Sequence, residues 1–88
     1  MAQYITCKGK VQGVFFRAST KEVADQLGVV GRVRNEPNGD VTIHAEGETL
    51  AIEKLIEWCR KGPMLSQVSE VSSSEVDDLS PTDFRIRY

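Results

Sequence analysis

The segment Gly31–Gly47, GRVRNEPNGDVTIHAEG, holds the pattern that decides the fold. Two β-rich runs, Val29–Asn35 and Val41–Glu46, flank Glu36-Pro37-Asn38-Gly39-Asp40. Asn-Gly between alternating runs is the strongest short-range hairpin signal. A period of two puts Val29, Gly31, Val33 and Asn35 on one face of the first strand, and Val41, Ile43 and Ala45 on one face of the second. His44 alternates with Ile43 and is therefore expected to point to solvent. Glu46, with Glu48, Glu53 and Glu57, reads as a solvated acidic surface with no compact metal-ligand spacing.

Working outward, the hairpin is preceded by a helix and a strand and followed by the same kinds of element. Ala2–Gly9 alternates, with Ile5 and Cys7 opposite Tyr4, Thr6 and Lys8. Phe16, Val23, Ala24 and Leu27 share one helical face, and Gly28 suits a helix-closing position. A second helix is expected from about Thr49 to Lys61, with Ile52, Leu55, Ile56 and Cys59 as its stripe and Gly62-Pro63 as its stop. Trp58 falls beside that stripe and reads as edge packing. Gln67–Val76 is a weaker strand with Val68 and Val71 out of phase, which predicts a bulge. After the turn Leu79-Ser80-Pro81-Thr82, Asp83–Tyr88 alternates again, with Phe84, Ile86 and Tyr88 opposite Arg85 and Arg87. The order β-α-β-β-α-β plus a short final strand predicts an α+β, ferredoxin-like sandwich, a mostly antiparallel sheet with both helices on one face.

The 88 residues suit a single domain over 1–88. The formal charge of −2 argues against a general nucleic-acid binder. No apolar run is long enough to cross a bilayer, and no signal-peptide pattern opens the chain. Cys7 and Cys59 lack metal-ligand spacing and lie on apolar faces, so they read as core thiols of a cytoplasmic protein.

A fold of this kind serves many functions, so function must be read from a site. The stretch Gly9–Arg17, GKVQGVFFR, offers one. Gly9 and Gly13 allow a backbone that turns successive N–H groups inward as an anion nest. The helix starting directly after it adds free N–H groups and a positive dipole end. Arg17 in that first turn is unfavourable beside the dipole unless an anion binds there, and its planar fork matches two phosphate oxygens. The loop alone also fits ordinary turn glycines and a solvated arginine. Gly13 is followed by Val14, so this is no Walker A loop, and no Gly-x-Gly-x-x-Gly is present. Lys8 and Lys10 are expected to raise the potential near the loop.

GKVQGVFFR resembles the acylphosphatase signature Gly-x-Val-Gln-Gly-Val-x-Phe-Arg. The family's second signature is matched by Gly31, Val33, Asn35, Gly39, Val41 and Gly47, and the ending DFRIRY is similar to its C-terminal strand. Arg32 departs from the pattern, standing where the family usually has an aromatic; Phe15 falls at a variable position. The resemblance implies hydrolysis of the carboxyl-phosphate bond of small-molecule acyl phosphates, with inorganic phosphate as product and competitive inhibitor. It implies Arg17 and Asn35 as catalytic residues, and a phosphate-binding loop of Gln12, Gly13, Val14, Phe15, Phe16 and Arg17. Arg17 would bind the phosphate and Asn35 would hold the attacking water. No metal, cofactor, nucleic-acid or membrane partner is expected, and the chain is expected to be a monomer. The alternatives are an anion-binding regulatory module, an RNA-binding sandwich of RRM type, for which paired strand aromatics are lacking, and a module of a carbamoyl-phosphate pathway.

Overall fold

The computed structural model describes all residues, 1–88. The elements run β1 (Ala2–Lys10), α1 (Phe16–Leu27), β2 (Val30–Asn35), β3 (Val41–Glu46), α2 (Thr49–Lys61), β4 (Gln67–Glu75) and β5 (Phe84–Arg87). They form one five-stranded sheet in the order β4-β1-β3-β2-β5. β1 pairs antiparallel with β3 and β4, and β2 antiparallel with β3. β5 joins the other edge of β2 in parallel. Two interleaved β-α-β units thus produce the ferredoxin-like sandwich read from the sequence.

The hairpin forms where Asn38-Gly39 predicts it, with Asn35 opposite Val41. Gly28 is left-handed and donates its N–H to Ala24 and Asp25, which closes α1. The bulge in β4 is real: Lys8 pairs with Glu70 but Gly9 with Val68, leaving Ser69 extra. That accounts for the phase change between Val68 and Val71.

Both helices lie against the same face of the sheet. Ile5, Cys7, Val33, Ile43, Ala45 and Phe84 meet Phe16 and Ala24 of α1 and Ile52, Leu55 and Cys59 of α2 in one buried cluster. Trp58 packs on Phe16 at the margin, with ring centroids 5.5 Å apart. Cys7 and Cys59 are both buried free thiols, as their apolar positions predict. A hydrogen bond to Cys7, reinforced by burial, raises the Cys59 pKa well above its ordinary value and keeps the thiol protonated.

The opposite face of the sheet differs from expectation. His44 and Glu46 are not solvated; both are buried. His44 Nε2 donates to the Glu46 carboxylate, and the Leu79 N–H donates to the same oxygen at 2.7 Å. Leu79 belongs to the stretch between β4 and β5, which passes over this face. Alternation along β3 correctly assigns these side chains to the outer face, but a distant part of the chain covers it.

Burial alone would raise the Glu46 pKa. The hydrogen bonds from His44 and the Leu79 N–H outweigh it and hold the carboxyl below its ordinary value. The unfolded chain therefore binds a proton here more readily than the folded one. The stability this gives is present above about pH 4 and is lost as pH falls through the folded pKa. Glu46→Gln is expected to be less stable than wild type at pH 7, with a gap that narrows at pH 3. Urea unfolding at the two pH values measures this, and an equal gap at both would refute it.

Candidate active site

The loop between β1 and α1 is anchored from below and from the side. Val11, Val14 and Phe16 are buried, so every second or third side chain pins the backbone to the core. Gln12 reaches across to the hairpin, and its Nε2 donates to the carbonyls of Glu36 at 2.8 Å and Asp40 at 2.9 Å. These bonds tie the loop to the end of β2, where Asn35 sits.

Backbone handedness shapes the rest. Gly13 (φ 75°) and Phe15 (φ 62°) are both left-handed, with Val14 between them outside that region. Such alternation turns successive N–H groups toward one side. None of the backbone N–H groups from Gln12 to Ala18 donates to a backbone carbonyl; the Ser19 N–H is the next to do so, to Phe15. The concave edge of the loop and the first turn of α1 therefore present one continuous set of free donors.

Two expectations about this loop need correction. Gly9 is not part of it. It lies within β1, at φ 118°, where a Cβ would stand 2.2 Å from the Gln67 carbonyl oxygen, so its role is close approach at the β4 bulge. Phe15 takes the second left-handed position instead, with its ring largely exposed. A bulky residue is strained there, and such strain collects at functional loops. Nothing in the local sequence signals it, because glycine, not phenylalanine, is the usual mark of this conformation. Lys8 is also not a free steering charge: its Nζ is 2.8 Å from Asp40 of the hairpin.

Arg17 stands at the start of α1 and has no carboxylate in its first turn. Its Nη1 donates to the Arg87 carbonyl at 3.0 Å, and the guanidinium lies 4.6 Å from the ring centre of Tyr88. β5 thus orients the arginine through a hydrogen bond and a cation–π contact. Tyr88 continues the face of Phe84 and Ile86 but lies beyond β5 and is exposed, beside Arg17 and outside the core.

Arg17 and Asn35, far apart in sequence, line one open cavity of about 310 Å³ together with Gly13, Phe15, Phe16 and Tyr88. The backbone of Gln12 and Val14 belongs to the same loop, although their side chains turn away, Gln12 to the hairpin and Val14 into the core. A cavity with free N–H donors and a guanidinium that has no carboxylate partner suits a phosphoryl group. The family model for acylphosphatases matches residues 3–86.

The chain belongs to the acylphosphatase family.

An acylphosphatase from Marinobacter nauticus is 48% identical over 86 residues, covering 97% of this chain and 94% of that protein. Among solved structures, an acylphosphatase from Coxiella burnetii superposes with a TM-score of 0.95 at 42% identity, covering 98% of this chain and 90% of the other. One from Bacillus subtilis gives 0.94 at 34% identity over the whole of both chains. The activity of this acylphosphatase is hydrolysis of the acyl-phosphate bond, with a small-molecule acyl phosphate as substrate and inorganic phosphate as product.

Proposed function

We propose that the free N–H groups of the loop Gln12–Arg17 and the Arg17 guanidinium hold the substrate's phosphoryl group, while Asn35 holds the attacking water. The observation carrying this reading is the unbroken run of free backbone donors from Gln12 to Ala18 beside Arg17, in one cavity with Asn35. Phosphoryl transfer depends mainly on positioning and charge stabilisation, and fixed backbone donors supply both without rearranging. Arg17 has two phosphate oxygens to match its fork, and β5 has already oriented it.

Asn35 suits the water because its amide offers both donor and acceptor and does not titrate. The water oxygen attacks phosphorus, and the bond from phosphorus to the acyl oxygen breaks. The carboxylate leaves with the bonding pair, and since its conjugate acid has a pKa of about 4 it needs no protonation. The water's proton passes to an oxygen of the substrate's own phosphoryl group. No step uses a metal, because arginine and amides provide the positive charge. Inorganic phosphate, which takes the same amides and guanidinium, is a competitive inhibitor in this scheme.

Hydrolysis of benzoyl phosphate or acetyl phosphate is expected to proceed in excess EDTA at a rate within about two-fold of the untreated enzyme. Phosphate release in the presence of the chelator measures it. Loss of activity restored by a divalent ion would overturn the metal-free scheme.

A further inference from the structure

On the sheet face away from the helices, β2 and β5 bring together every arginine of the chain except Arg17 and Arg60. Arg32 pairs in register with Arg85, and Arg34 with Arg87. In adjacent strands, residues in register share a face, so like charges stand side by side, an arrangement that by itself destabilises a sheet. Neighbouring strands are about 4.8 Å apart and alternate residues along a strand about 6.6 Å, so the four Cα atoms mark a compact rectangle.

Neutralisation within the protein is incomplete. Arg34 pairs with Glu36 at 3.1 Å and Arg85 with Asp83 at 2.9 Å. Arg32 and Arg87 pair with no carboxylate, and the nearby Glu46 is already engaged by His44. The chain's net charge is −2, so this cationic patch runs against the overall balance. Two open cavities lie on it. One, of about 260 Å³, lies between the stretch Leu79–Asp83 and the strands and is lined by Arg32, Arg85 and Arg87. The other is lined by Arg32, Arg34, Arg87 and Tyr88. Arg32 and Arg87, the two without carboxylates, are common to both.

We propose that this outer face of β2 and β5 is a binding site for a small oligophosphate, an anion with at least two linked phosphoryl groups, separate from the cavity of Arg17. All four cations are arginines, whose planar forks match phosphate oxygens in pairs, whereas lysines would act as single point charges. One guanidinium pair spans one phosphoryl group and the next pair along the strands takes its neighbour. A cavity of about 260 Å³ accommodates a small ligand of this kind. Arg32, in register with Arg85, completes the first pair.

The test titrates inorganic tripolyphosphate into isotope-labelled protein at about 0.15 M salt, which screens non-specific attraction, and follows the backbone amides by NMR. Wild type and Arg17→Ala are both expected to show saturable shifts at Arg32, Arg34, Arg85 and Arg87. Arg32→Gln/Arg85→Gln is expected to bind tripolyphosphate at least ten-fold more weakly at that face. Its inhibition by orthophosphate in the hydrolysis assay should stay within two-fold of wild type, which separates this site from the catalytic one. Shifts confined to Gln12–Ala18, or unchanged affinity in the double variant, would overturn the proposal. So would tighter binding of a single-stranded oligonucleotide through the same arginines, which would make the face a nucleic-acid surface.

Discussion

Asn35→Ala is expected to lower turnover of an acyl phosphate by about 100- to 1000-fold, the loss of about 3–4 kcal/mol typical of one well-placed transition-state donor. Inorganic phosphate should still bind this variant nearly as well as wild type, because the loop amides and Arg17 remain. Losing contacts realised mainly in the transition state lowers turnover without lowering ground-state affinity. Arg17→Ala should fail differently, losing both phosphate affinity and turnover. Arg17→Lys should recover little, since lysine keeps the charge but not the fork. Neither substitution should unfold the chain: neither side chain belongs to the buried core, and Arg17 rests on Arg87 and Tyr88 at the surface. The deciding comparison is the phosphate inhibition constant in the two variants beside turnover of benzoyl phosphate. Normal turnover in Asn35→Ala, or a phosphate affinity as poor as that of Arg17→Ala, would refute the water-holding role.

Gly31→Ala is expected to destabilise the fold by about 3 kcal/mol or more, a Tm fall of at least about 12 °C for a domain of this size. Gly31 sits mid-sheet between β3 and β5, and its N–H donates to the Asp83 carbonyl at 2.9 Å. A Cβ there would lie 1.8 Å from the His44 carbonyl oxygen and 2.8 Å from its carbon. Both atoms are backbone, so no side chain can swing aside to relieve the clash. Its φ of 139° adds strain for any residue with a side chain. Strand β2 must shift against β3, which also displaces Asn35 at its end. Thermal unfolding by circular dichroism measures the effect, and a Tm within 3 °C of wild type would refute the close approach. Gly13→Ala is an instructive contrast, because nothing lies within 4 Å of a Cβ at that position and only the backbone strain remains.

Much of the fold was legible because its signals are local. Period-two alternation in β1, β2 and β3 and period-3.6 stripes in α1 and α2 depend on neighbours a few residues away. Asn38-Gly39 and Gly28 specify turn and cap through backbone freedom at single positions. Even the β4 bulge was visible, because an extra residue shifts the phase of Val68 against Val71. The family was legible for another reason: two spaced motifs, around Arg17 and around Asn35, occur in the order and spacing of its signatures.

Tertiary structure decided what alternation cannot. Alternation separates the two faces of a strand but does not say whether a distant segment covers the outer one. His44 and Glu46 therefore read as solvated, although the chain around Leu79 buries them. The same limit applies to backbone handedness: Phe15 is held left-handed by the anchors on either side of it, Val14 and Phe16 in the core. Gly9 reads as part of the loop because it is close in sequence, but the Gln67 carbonyl that requires it to be glycine comes from β4, distant in sequence. By itself, then, the sequence determined the elements, their order and the residues of the family motifs. Only folding brought β5 alongside β2, set Arg17 on Arg87 and Tyr88, and gathered four arginines on one face, because each depends on contacts between segments many residues apart.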